Sequence, residues 1–140
     1  MTQFIDPEDY DATVHRDIID SLTRGDDAIL DVCEDRAIEE MKSYLSARYD
    51  VEQIFAARGE ERHPLVLMMA LDIATYHIYC VGNPQKMNNG IRQARYERAV
   101  EWLKAVQKGT VSINGAPLLA DEEKEQTYLF QSNAKRTVHF

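Results

Sequence analysis

Between Leu65 and Val81 the chain is apolar nearly all round, and only Asp72, Thr75 and His77 interrupt it. Pro64 stands where a first helical position tolerates proline, and Gly82-Asn83-Pro84 is a stop. The segment is therefore read as one helix of ~26 Å at about 1.5 Å per residue. A helix apolar on every side lies centrally and is packed on several sides. Its carboxylate, Asp72, then needs a partner, because a lone buried charge is strongly destabilising. A second phrase, Ser43-Tyr44-Leu45-Ser46-Ala47-Arg48-Tyr49, sets one cation among aromatic and aliphatic neighbours in the same way. We read Arg48 and Asp72 as a structural ion pair inside a packed helix pair, with Arg95 and Arg98 as the other candidate partners of Asp72.

The flanking sequence supplies further helices. Asp6-Pro7 with Glu8 and Asp9 reads as a capped short helix, and His15–Leu22 as a second, with Ile18, Ile19 and Leu22 as its apolar edge. Asp26 or Asp27 caps a long helix to about Tyr49. Its inner face is Ile29, Leu30, Cys33, Ala37, Met41, Tyr44, Leu45 and Arg48, and its solvent face Glu34, Asp35, Glu39, Lys42 and Ser46. Val51–Ala57 is a further turn or two. Ile91–Lys108 is the last long helix, with the stripe Ile91, Ala94, Ala99, Trp102, Leu103 and Val106, closed by Gly109. Thr110–Ile113 alternates like a short extended segment before an Asn114-Gly115 turn. The expected fold class is all-α, a compact helical bundle of about four to five helices with a short extended segment and an extended C-terminal tail. Residues 1–119 form the helical domain. Residues 120–140 form a polar tail with an apolar cluster at Tyr128-Leu129-Phe130, ordered on assembly.

A chain of 140 residues fits one domain, and 44% hydrophobic residues are enough for a core. The net charge of −8 argues against a protein that grips phosphates. Cys33 and Cys80, with no CxxC spacing, fit reduced thiols better than a disulfide. The N-terminus has no secretory pattern, and the longest uninterrupted apolar run, Leu65–Leu71, is short of the ~20 residues that span a bilayer. A cytoplasmic site of synthesis and no membrane partner are expected.

No phosphate loop, nucleophile elbow or H-E-x-x-H phrase occurs. The histidines lie on different elements. His77 and Cys80 share a helix face at i, i+3, yet lack the further ligands that zinc requires. No metal, no cofactor and no catalytic set are expected. A general base at Asp72 with His77 is the enzyme alternative, and it is outweighed by the rule that buried charges are paired. The tyrosines Tyr44, Tyr49, Tyr76, Tyr79 and Tyr96, with Trp102, are read as core residues whose hydroxyls reach the surface.

Three phrases in order along Asp26–Leu119 resemble the Mu-like bacteriophage head–tail joining (connector) proteins. They are Tyr44-Leu45-Ser46-Ala47-Arg48-Tyr49, then Asp72–Tyr79, then Arg95-Tyr96 with Ala99, Trp102-Leu103, Val106 and Gly109. The chain departs from that family in lacking a proline-rich turn after Arg48-Tyr49, and its tail beyond Ala120 carries no family pattern. The resemblance implies a structural virion protein of a tailed phage. It would sit in the neck of the virion, after assembly in the host cytoplasm, as a ring between the portal protein and a stopper or tail-completion protein. Its partners would be the portal, the stopper and other copies of itself, with packaged DNA passing the lumen without specific binding. Ring closure needs heterologous contacts. The interface candidates are Phe4 and Tyr10, Met87 in the Gln85–Gly90 loop, and Tyr128, Leu129, Phe130 and Phe140 in the tail. The alternative is a non-viral helical adaptor or regulatory binding module that docks through the tail.

Overall fold

The computed structural model describes residues 4–83, 85 and 90–120, so Met87, Tyr128, Leu129, Phe130 and Phe140 lie outside the described residues. The described chain is all-α. It comprises α1 (Arg16–Thr23), α2 (Asp27–Leu45), α3 (Val51–Ala56), α4 (Pro64–Gly82) and α5 (Ile91–Lys108), with 3-10 turns at Pro7–Ala12 and Gly59–Glu61. The starts follow from local chemistry. The Asp26 carboxylate accepts from Ala28 N at 2.9 Å, and that of Asp50 from Gln53 N at 3.2 Å. His63 Nδ1 accepts from Leu65 N at 3.2 Å, with Pro64 at the first position of α4. α5 ends at Gly109 with φ 86°, a left-handed value that costs other residues strain.

α4 is the hub, and α1, α2 and α5 all pack on it. Both long neighbours run antiparallel to it. On α5, Arg92 lies over the Tyr79 ring, Tyr96 stacks on Tyr76 and Arg98 meets Asp72. On α2, Glu40 faces His77, with Cys33 a turn or two nearer the α2 start and Cys80 nearer the α4 end. By length and composition α4 is the one described helix able to cross a bilayer. In the fold it is wrapped by three helices and buries Met69, Ile73 and Ile78 in the core. At its end it runs so close to α1 that a Cβ on Gly82 would stand 2.6 Å from the Leu22 carbonyl oxygen.

Several sequence expectations are corrected. Phe4 and Tyr10 are not surface residues, at 0% and 1% exposed. Phe4 packs edge-on against Phe55, with ring centroids 5.0 Å apart, and the Pro7–Ala12 turn folds Tyr10 back onto α2. Burial of such a ring is worth about 1.5–3 kcal/mol, which an exposed docking position would forgo until a partner arrived. α2 stops at Leu45, four residues short of Tyr49, where the chain turns to give up Tyr49 to the core. On α5, Ala99, Leu103 and Val106 are buried, but Ile91 is 59% exposed and Ala94 is exposed too. The first half of this helix presents Arg92 and Tyr96 toward α4 in their place. Residues 110–113 are the expected extended segment but not a strand, and no strand occurs among the described residues. They are held irregularly, with Ile113 N donating to the Tyr49 hydroxyl at 2.8 Å. The turn at Asn114-Gly115 is present. Beyond it the chain returns to the α2–α3 junction through a bridge between Tyr49 and Leu118, with Asp50 N donating to Pro117 O and Leu119 N to Arg48 O.

Candidate functional site

The polar chemistry of the bundle concentrates where α2, α4 and α5 meet. Asp72, 4% exposed, sits on the α5-facing side of α4, one turn before Tyr76. Its Oδ2 accepts from Arg98 Nη2 at 2.5 Å, and Arg95 and Arg92 add attraction from further along α5. Burial nevertheless holds the carboxyl above the usual aspartate range, with Arg98 pulling the other way. Arg48 is not the partner. It stands at the far end of α5, where its Nη1 donates to Val106 O at 2.6 Å and Val111 O at 3.2 Å, and its Nη2 to Ser112 Oγ at 3.3 Å. Val106 lies in the last turn of α5, where the macrodipole favours a cation, and its carbonyl accepts from Gly109 N as well, while Val111 lies just beyond the helix end. Local phrase similarity pointed to Arg48. The antiparallel run of α4 and α5 decides for Arg98.

A second seam lies one turn along. Tyr96 donates its hydroxyl to Glu40 Oε1 at 2.7 Å and stacks on Tyr76 with centroids 3.9 Å apart. His77 Nε2 faces Glu40 Oε2 at 3.4 Å, and neither atom makes a hydrogen bond. Burial, then the hydrogen bond to Glu40, raises the Tyr96 hydroxyl above its ordinary range. For Tyr76 burial comes first and the neighbouring Cys80 second.

Helical periodicity puts Glu34 on the solvent face of α2, but it is 5% exposed. Its Oε2 accepts the Tyr10 hydroxyl at 2.6 Å. Burial pushes its carboxyl up to about 7, against the lowering effect of that hydrogen bond, and Asp31, Asp35 and Asp6 add repulsion. Tyr10 is raised as well, by burial and by the Glu34 charge. No periodicity could reveal this pair. It depends on the N-terminal turn folding over α2.

At the other end of the bundle, Gln53, Ile54, Ala57, His63, Pro64 and Pro117 line part of a cleft of about 630 Å³. Two of its ionisable groups, Arg62 and His63, are engaged in holding the fold. Arg62 grips Asp9 through both nitrogens, at 2.5 and 3.1 Å, and donates to Phe4 O at 2.8 Å. His63 accepts at Nδ1 and therefore donates from Nε2 to Asn114 O at 2.8 Å, which fixes its neutral tautomer. Cys33 is buried and Cys80 exposed, and both are free thiols. Burial raises the Cys33 thiol, opposed by Arg36. Among the described residues no three His, Cys, Asp or Glu side chains group as a metal site. The arrangement as a whole positions helices, through paired charges and capped ends.

Comparison with known proteins gives one positive result. The family model described as Bacteriophage Mu, Gp36 matches residues 2–131. No curated protein and no solved structure matches the chain.

Proposed function

The chain belongs to the bacteriophage Mu Gp36 family, and from that premise we propose that it is a non-enzymatic virion protein that forms a head–tail connector ring between portal and stopper. The carrying observation is the family match across residues 2–131, which takes in the whole described domain. The fold agrees with a ring subunit, a helical bundle whose buried charges are spent on positioning α2, α4 and α5. The net charge of −8 suits a lumen through which DNA passes without sticking, because like charges repel at close range. The tail beyond Ala120, with Tyr128-Leu129-Phe130, is the segment we assign to contact with a neighbouring subunit or the portal.

The deciding experiment is reconstitution. A portal ring of a Mu-like phage is incubated with the full chain, and the product is sized and imaged by electron microscopy. A second ring stacked on the portal is the expected result. No binding across a range of salt concentrations would overturn the connector reading. A chain lacking Glu122–Phe140 should fold as the full chain does and fail to assemble. Normal assembly of that chain would remove the tail from the interface.

A further inference from the structure

The charge of the protomer is unevenly laid out. Residues 4–31 carry nine acidic residues against Arg16 and Arg24, whereas α5 carries five basic residues against Glu97 and Glu101. On α5, Ile91, Arg95, Arg98 and Trp102 recur at i, i+4, i+7 and i+11, so they share one flank. Tyr96, which bonds to Glu40 of α2, points to the other side of the helix. That flank therefore faces away from α2. It holds the most exposed large apolar side chain among the described residues, Ile91 at 59%. It also holds Arg95, which reaches Asp72 only by longer-range attraction.

The outer face of α2 has the same spacing and the opposite sign. Ala28, Val32, Asp35 and Glu39 recur at i, i+4, i+7 and i+11, with Val32 46% exposed. The Glu39 side chain is 74% exposed and makes only a loose 3.8 Å contact with Lys42. Both helices run antiparallel to α4, hence parallel to each other. The Tyr96–Glu40 bond sets them level, which places Arg95 at the height of Glu39 and Ile91 near Val32 and Asp35. A rotation about an axis along the bundle preserves direction and height. It would therefore carry the α2 face of one copy onto the α5 flank of the next with Glu39 opposite Arg95.

We propose that the Ile91–Arg95–Arg98 flank of α5 is a docking surface for the Val32–Glu39 face of α2 in a second copy of this chain, Glu39 meeting Arg95 and Val32 meeting Ile91. The contact is heterologous, so it propagates around a ring instead of closing a dimer. This inference rests on the connector reading and names the surface through which its ring would close.

The test uses the full chain with the portal ring, in a Cys80→Ser background. Val32→Cys with Ile91→Cys, joined by a short bis-maleimide, should give a ladder of trimers and larger species, and neither single variant should do so. As a second measure, Arg95→Glu or Glu39→Arg alone should lower ring yield by about tenfold or more, and the two together should restore it. Thermal melting checks that each variant is folded. A wild-type ring without the ladder would overturn the surface and leave the connector reading intact. Absence of any wild-type ring would overturn both. Dimers only would mean an isologous contact and refute the proposal. Retention of DNA by wild type that is lost in Arg95→Glu would reassign the flank to nucleic acid.

Discussion

Asp72 and Arg98 lock α4 to α5 across 2.5 Å, and they do so asymmetrically, the carboxylate side chain being 3% exposed and the guanidinium side chain 52%. Removal of one partner of a fully buried pair costs roughly 3–5 kcal/mol, because the other charge is stranded. Solvent reaches Arg98 and weakens its side of the pair. Arg98→Ala should therefore cost about 2 kcal/mol, read as a lower urea midpoint with an unchanged slope. A loss below about 0.5 kcal/mol would mean that Arg95 takes over the role.

Arg48 should behave differently, since its work lies at the end of α5. It ties Val106 and Val111 carbonyls to the Ser112 hydroxyl, and only a planar fork with several donors reaches all three. Arg48→Ala should cost about 2 kcal/mol, in the range for hydrogen bonds to a charged group. Arg48→Lys should recover less than half of that in a thermal melt, and limited proteolysis between Gly109 and Ala120 should speed up in both variants.

Glu34 makes stability depend on pH in an unusual direction. Its carboxyl titrates near 7 in the fold against 4.5 for the ordinary group, so the folded chain binds the proton more tightly. The stabilisation is complete below the ordinary carboxylate range and is lost as pH rises through about 7, amounting to about 3 kcal/mol. Glu34→Gln should remove this dependence. Urea melts of both proteins between about pH 4 and pH 8 should therefore diverge with rising pH, the variant becoming the more stable.

Gly82→Ala tests the contact of α1 with α4. Alanine is favoured over glycine in a helix by about 1 kcal/mol, yet here its methyl would meet the Leu22 carbonyl at 2.6 Å. Backbone cannot swing aside as a side chain does. A net loss of about 1–3 kcal/mol is expected from calorimetry, and a gain would show that α1 shifts freely.

Much of the fold was legible in the sequence because it depends on local signals. Asp26, Pro64 and Gly109 mark helix ends by their own local chemistry, and the α4 hub follows from its nearly unbroken apolar surface. What was misread depends on contacts distant in the chain. Arg48 and Arg98 are equally plausible partners of Asp72 until the direction of α5 is known. Glu34 fits the solvent face of an isolated α2 and is covered only because Tyr10 folds over it. Phe4 and Tyr10 stand in a short N-terminal segment whose aromatic content reads equally well as core or as interface. Ile91 and Ala94 follow the periodicity of a core stripe, but α4 takes the arginines of that helix in their place.

The return of residues 117–119 onto Arg48 and Asp50 has a mechanical consequence. Tension applied beyond Ala120 would not enter the protomer through α5, the nearest helix in sequence. It would first load the backbone bonds of Asp50 to Pro117 and Leu119 to Arg48, placed side by side at the α2–α3 corner. Bonds arranged in this way share a pull, so the corner acts as a strain relief, and the α4–α5 contact with its Asp72–Arg98 lock feels the load only after that corner has given way.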